Sequence, residues 1–184
     1  YDDVSGAWRS RGWIDTSAIL TYTHKDGELA GGQKVTYTSY SDWGNAILQT
    51  VEKYGTYDAQ TKTLGNLVDR NSIESTYSDE NRSRIGRSMV TLYSAEGEFV
   101  EKQDIAYTSY DAWGNVLNQS VTRKDLDDDI LDVKEMMNTY EGININRGWI
   151  SIASVTSKTA SGAVIENQVF RYTKYDAWGN AVNQ

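Results

Sequence analysis

Tyr110-Asp111-Ala112-Trp113-Gly114-Asn115 is the stretch from which the fold is read, and the chain carries it three times. With its lead-in it runs Tyr107-Thr108-Ser109-Tyr110-Asp111-Ala112-Trp113-Gly114-Asn115. Upstream stands Tyr37-Thr38-Ser39-Tyr40-Ser41-Asp42-Trp43-Gly44-Asn45, and downstream Tyr172-Thr173-Lys174-Tyr175-Asp176-Ala177-Trp178-Gly179-Asn180. The tryptophans are 113 − 43 = 70 and 178 − 113 = 65 residues apart, a tandem array with a long, slightly variable period.

From Tyr110 the segment reads as a strand ending, a four-residue turn and a strand beginning. Asp111 and Asp176 suit the first turn position, because a carboxylate there accepts the amide hydrogen two residues on. Gly44, Gly114 and Gly179 suit the fourth, where the chain needs positive φ. A type I turn closed by a glycine bulge is expected. Ser41 replaces the aspartate in the first copy; its hydroxyl makes the same local bond, whereas acid–base chemistry would not tolerate the exchange.

These residues resemble the tyrosine-aspartate (YD) repeats of Rhs-type bacterial surface and toxin proteins, in which a Tyr-Asp pair precedes a glycine and a polar residue. The resemblance covers the turn and its preceding strand, and the period here is longer than the family's. It implies a strand-rich extracellular or secreted structure, in some members a shell of strands around a toxin.

Composition points the same way. Thirteen tyrosines and six tryptophans against two phenylalanines suggest surfaces that are part wet and part packed. Proline, which interrupts hydrogen-bonded ladders, is absent. With no cysteine, disulfides, thiol nucleophiles and cysteine-held metals are excluded. Eighteen basic against 26 acidic residues leave a charge of −8, which opposes binding to nucleic acid or an anionic membrane. No apolar run reaches the roughly 20 residues that span a bilayer.

An all-β fold is expected, with tandem hairpins stacked as a solenoid or continuous β-ribbon. Residues 1–13 read as the tail of a preceding repeat, 14–84 as the first repeat, 85–149 as the second and 150–184 as a truncated third. Arg11-Gly12-Trp13-Ile14 returns as Arg147-Gly148-Trp149-Ile150, which sets this phase. Asp26-Gly27 signals a hairpin, and Gly97 and Gly162 stand at the same distance ahead of their tryptophans. Strands are expected from Ile14 to His24, Gln33 to Tyr40, Ile47 to Val51, Asp104 to Tyr110, Val116 to Val121 and from Ala181 onward. Tyr57-Asp58 and Gly65-Asn66 suggest a degenerate hairpin, followed by a short strand near Ile73 to Tyr77. The run Ile130 to Tyr140 has helical spacing in Val133, Met136 and Met137 but is read as strand, since its place in the repeat matches Ser72 to Tyr77.

Chemistry is sparse. The one histidine, His24, reads as a solvated strand end. Asp125, Asp127 and Asp129 alternate like calcium ligands but lack the central glycine and distal glutamate, so a solvated acidic loop is the better reading. Arg82, Arg84 and Arg87 read as surface or as ion pairs with nearby acids. The turn tryptophans Trp43, Trp113 and Trp178, with Tyr40, Tyr110 and Tyr175, are the distinctive groups. Either the indoles pack between repeats as a ladder, the preferred reading, or with Asn45, Asn115 and Asn180 they form platforms for sugars. The expectation is a non-enzymatic structural segment of a long extracellular or cell-surface protein, without cofactor, whose partner is itself in a fibre. A glycan-binding adhesin and part of a toxin shell are the alternatives.

Overall fold

The computed structural model describes residues 13–22, 29–58, 60–80, 82–177 and 179–183. The described residues form strands joined by tight turns, with one helical turn among them, α1 (Asn144–Arg147). The strands are β1 (Thr16–Tyr22), β2 (Leu29–Tyr40), β3 (Ala46–Tyr54), β4 (Tyr57–Asp58), β5 (Thr63–Leu64), β6 (Leu67–Asp79) and β7 (Arg84–Ser94). They continue with β8 (Phe99–Tyr110), β9 (Val116–Lys124), β10 (Ile130–Thr139), β11 (Ile152–Thr159), β12 (Val164–Arg171), β13 (Lys174–Tyr175) and β14 (Ala181–Asn183). The ladder order of the main sheet is β1-β2-β3-β6-β7-β8-β9-β10-β11-β12, while β4 pairs with β5 and β13 with β14. Hairpin connections between Thr-, Val- and Tyr-rich strands make this order the natural one.

Most expected strands are present, and several are longer: β6 runs over 13 residues where a short strand is read from the sequence. Residues 130–139 form β10, paired with β9 and β11, so strand pairing overrides their helical spacing. Tyr57-Asp58 does open a small hairpin, pairing with Thr63-Leu64. The Asp26-Gly27 turn and His24 lie outside the described residues, as do Arg11 and Gly12.

The residues group into two compact units, Tyr1–Thr76 with Ser88–Lys102, and Tyr77–Arg87 with Gln103–Gln184. In the first, β2 lies between β1 and β3, so Val35 is flanked by Ser17 and Val51. Val35 is only 7% exposed, and it is the one deeply buried apolar side chain among the described residues. Glu52 on β3 accepts from Arg70 at 2.9 Å and lies 3.8 Å from Lys34. Ser75 and Ser88 share a buried hydroxyl hydrogen bond of 3.0 Å.

In the second unit, charges again meet across strands. Asp104 binds Arg87 at 2.5 Å with Lys124 at 3.9 Å, Asp132 binds Arg123, and Glu135 binds Lys158 at 2.5 Å. These pairs are part-exposed, so each contributes about 0–1 kcal/mol and serves register more than stability. α1 ends on Gly148, whose φ of 67° lets the Trp149 amide donate back to the Asn144 carbonyl at 3.0 Å.

Candidate functional site

The three repeated turns share one geometry. The Gly44, Gly114 and Gly179 amides donate to the carbonyls of Ser41, Asp111 and Asp176 at 3.0, 3.2 and 3.2 Å. The amides of Ser41, Asp111 and Asp176 donate to the carbonyls of Asn45, Asn115 and Asn180 at 2.9, 3.0 and 3.0 Å. The three glycines have φ of 83°, 90° and 86°, closing a type I turn with a glycine bulge. Asp111 Oδ1 accepts the Trp113 and Asn115 amides at 2.8 and 2.9 Å, while Oδ2 accepts the Asn115 side-chain amide at 2.8 Å. Asp176 holds Asn180 the same way. Ser41 Oγ accepts two of the equivalent amides at 3.3 Å, which explains why serine serves there.

Burial pushes the Asp111 carboxyl up, but the hydrogen bonds from Asn115 and from the Trp113 and Gly114 amides together outweigh it. The group is held below the usual carboxylate range. A carboxylate so committed is a structural acceptor and is poorly suited to moving a proton at neutral pH.

Behind each turn a tyrosine ties it to the strand before. The hydroxyls of Tyr40, Tyr110 and Tyr175 donate to the carbonyls of Ile14, Ile85 and Ile150. The residue preceding each isoleucine covers that tyrosine ring. Trp13 lies 5.0 Å from Tyr40 and Trp149 5.0 Å from Tyr175, centroid to centroid, while Arg84 sets its guanidinium 5.6 Å over Tyr110. A second tyrosine extends each stack: Tyr37, Tyr107 and Tyr172 lie 5.8, 6.5 and 6.2 Å from Tyr40, Tyr110 and Tyr175. Tyr37 and Tyr40, three apart, would face opposite sides of a regular strand. Register shifts between them in β2 bring both rings together. Burial, then the neighbouring tyrosine, pushes the phenols of Tyr40, Tyr110 and Tyr175 up.

The clamp also explains two of the glycines. A Cβ on Gly44 would stand 2.8 Å from the Trp13 indole nitrogen, and one on Gly179 2.7 Å from that of Trp149. Gly114 meets nothing, since arginine stands where the other copies have tryptophan. The two tryptophan copies leave similar open clefts, of about 340 Å³ beside Trp13 and about 220 Å³ beside Trp149.

Neither of the two described turn tryptophans is packed within the chain. Trp43 and Trp113 are 63% and 66% exposed, because the third turn position projects beyond both strands and has no neighbour to cover it. Trp178 lies outside the described residues. Packing falls instead to Trp13 and Trp149, whose signal was present in the recurring Arg-Gly-Trp-Ile. Arg84 was legible by counting: it stands 113 − 84 = 29 residues before its turn tryptophan, as Trp149 stands 178 − 149 = 29 before the next.

The acidic loop proves to be a further turn of the same kind. The Asp128 amide donates to the Asp125 carbonyl at 3.3 Å, and Asp128 takes the glycine position at φ 65°. Asp125 Oδ1 accepts the Asp127 and Asp129 amides at 3.0 and 2.9 Å. Among the described residues no cluster of three acids or histidines is placed to hold a metal. The arginines are also engaged: Arg87 with Asp104, Arg82 with Asp79, and Arg84 with the Asp111 carbonyl at 2.9 Å. No family model matches the chain, and no curated protein matches its sequence.

Proposed function

We propose that the chain is a structural repeat segment of a long extracellular protein, its hairpins continuing as a β-ribbon or solenoid and assembling into a fibre or cell-surface filament. The observation that carries this reading is the burial. Val35 alone among the described apolar residues is deeply buried, while Ile19, Val68, Val100, Met137 and Val169 are exposed. A sheet needs a second layer against its apolar face. Further copies of the unit supply that layer, and wide exposed apolar surface is what marks such contacts. The repeated tyrosine clamp supports a mechanical role, since it is written three times and uses up its own polar groups. Light scattering over a rising concentration series is expected to show growth into large species; a stable monomer at high concentration would overturn the proposal.

The exposure of Trp43 and Trp113 favours one second reading, a glycan-binding adhesin with an indole platform at each tip. Asn45 is buried, and the side-chain amide of Asn115 is held by Asp111 and the Ile145 carbonyl. Sugar contact would therefore rest on the rings alone. Titration with oligosaccharides should quench tryptophan emission in the native chain and not in Trp43→Ala/Trp113→Ala; equal quenching in both would dismiss it.

A further inference from the structure

We infer that the free edge of β12 is a docking site for one more antiparallel strand, an extended peptide of the class seen in β3 and β9, in a register that the repeat itself dictates. In the first copy, β2 receives β3 immediately after the turn: Tyr40 pairs with Ala46 and Ser39 with Leu48, and the ladder continues from Tyr37–Gln49 to Gly32–Tyr54. In the third copy the same pairing begins. Tyr175 pairs with Ala181 and Lys174 with Asn183, each residue displaced by 135 from its first-copy equivalent (175 − 40, 181 − 46, 174 − 39 and 183 − 48). The next pairs would place a strand along Arg171, Phe170, Val169, Gln168 and Asn167, and there, among the described residues, β12 has β11 as its one neighbour in the sheet.

The surface of β12 fits a strand in waiting. Seven of its eight residues are exposed, Ile165 by 63%, whereas the matching stretch of β2 contains the buried Val35. It lacks the proline or edge lysine with which sheets usually blunt an open edge. The occupant's chemistry follows from the two copies that have one. β3 reads Gln49-Thr50-Val51 and β9 reads Gln119-Ser120-Val121, each then reaching a lysine at Lys53 or Lys124. Val51 stands opposite Val35, so the same valine in the third copy falls opposite Phe170. The Tyr172 amide donates to the Ser151 carbonyl on the β11 side. By strand alternation the amides of Arg171, Val169 and Asn167 then point to the open edge.

The inference rests on the repeat register and not on filament assembly; amide exchange in dilute solution reads the one, and light scattering the other. The test appends Ser-Val-Thr-Arg-Lys, the sequence of Ser120 to Lys124, after Gln184, with Pro-Thr-Pro-Arg-Lys as control, whose prolines stand at the first and third added positions, where the amides would face β12. Both retain the whole chain, and attachment supplies the strand at millimolar effective concentration. The valine form is expected to raise Tm by about 3–6 °C over the proline form, and to slow exchange at Asn167, Val169 and Arg171 at least about tenfold. Equal Tm and equal exchange in the two forms would overturn the inference. So would concentration-dependent protection of those amides in the unextended chain, which would give the edge to a second copy.

Discussion

At the scale of the residue, the chain distinguishes two tryptophan positions that composition alone treats alike. Trp13 and Trp149 lie on tyrosine rings and against glycine, while Trp43 and Trp113 stand in water. Trp149→Ala should cost roughly 2–4 kcal/mol in denaturant unfolding, near the lower part of the range for aromatic truncation because the ring is only partly buried. Trp113→Ala should stay within about 0.5 kcal/mol of the native chain. The glycines separate similarly. Gly114→Ala should cost about 1–2 kcal/mol for its left-handed φ, and Gly179→Ala more, since its added carbon meets the Trp149 indole. Equal losses in the two glycine variants would contradict the clamp. The turn was legible in the sequence because Asp, Gly and Asn have strong local preferences. Which indole would be covered was not, since that depends on a strand some 30 residues earlier and on register shifts that local pattern does not reveal.

At the scale of the element, the same hairpin corner recurs beyond the repeated motif. Ser94 to Gly97 and Thr159 to Gly162 close with the same pair of backbone bonds, and Asp125 to Asp128 does so with aspartate at positive φ. Asp125→Ala is therefore expected to lower stability by about 1 kcal/mol through loss of its two amide bonds. Asp127→Ala should be nearly neutral, and added calcium should leave the melting temperature of both unchanged. A calcium-dependent rise lost in either variant would instead restore a metal site. The strand character of β10 was legible only through its place in the repeat: Val133, Met136 and Met137 carry helical spacing, and pairing with β9 and β11 decides the outcome.

At the scale of the whole molecule, stability should depend on pH at both extremes. Asp111, Asp132 and Glu52 are held below the ordinary carboxylate range. For Asp132 the Arg123 hydrogen bond leads; for Asp111 and Glu52 burial pushes the group up, and hydrogen bonds, joined at Glu52 by the Lys34 and Arg70 charges, overcome it. A depressed native value means the unfolded chain binds protons first. Their contribution is thus complete above about pH 4–5 and is lost as pH falls through the native values. The raised phenols of Tyr40, Tyr110 and Tyr175 act oppositely, and their contribution is lost as pH rises beyond about 10. Melting temperature against pH should therefore be flat from about 5 to 9 and fall on both sides. A fall beginning near neutrality would contradict the assignment.

The central claim is that this sheet, with little buried apolar surface of its own, is completed by neighbours. Thermal unfolding across a hundredfold range of protein concentration tests it most directly, because association that favours the folded chain makes the midpoint concentration-dependent. The account predicts a midpoint that climbs steadily with concentration. A sharp transition whose midpoint stays fixed over the whole range would contradict it.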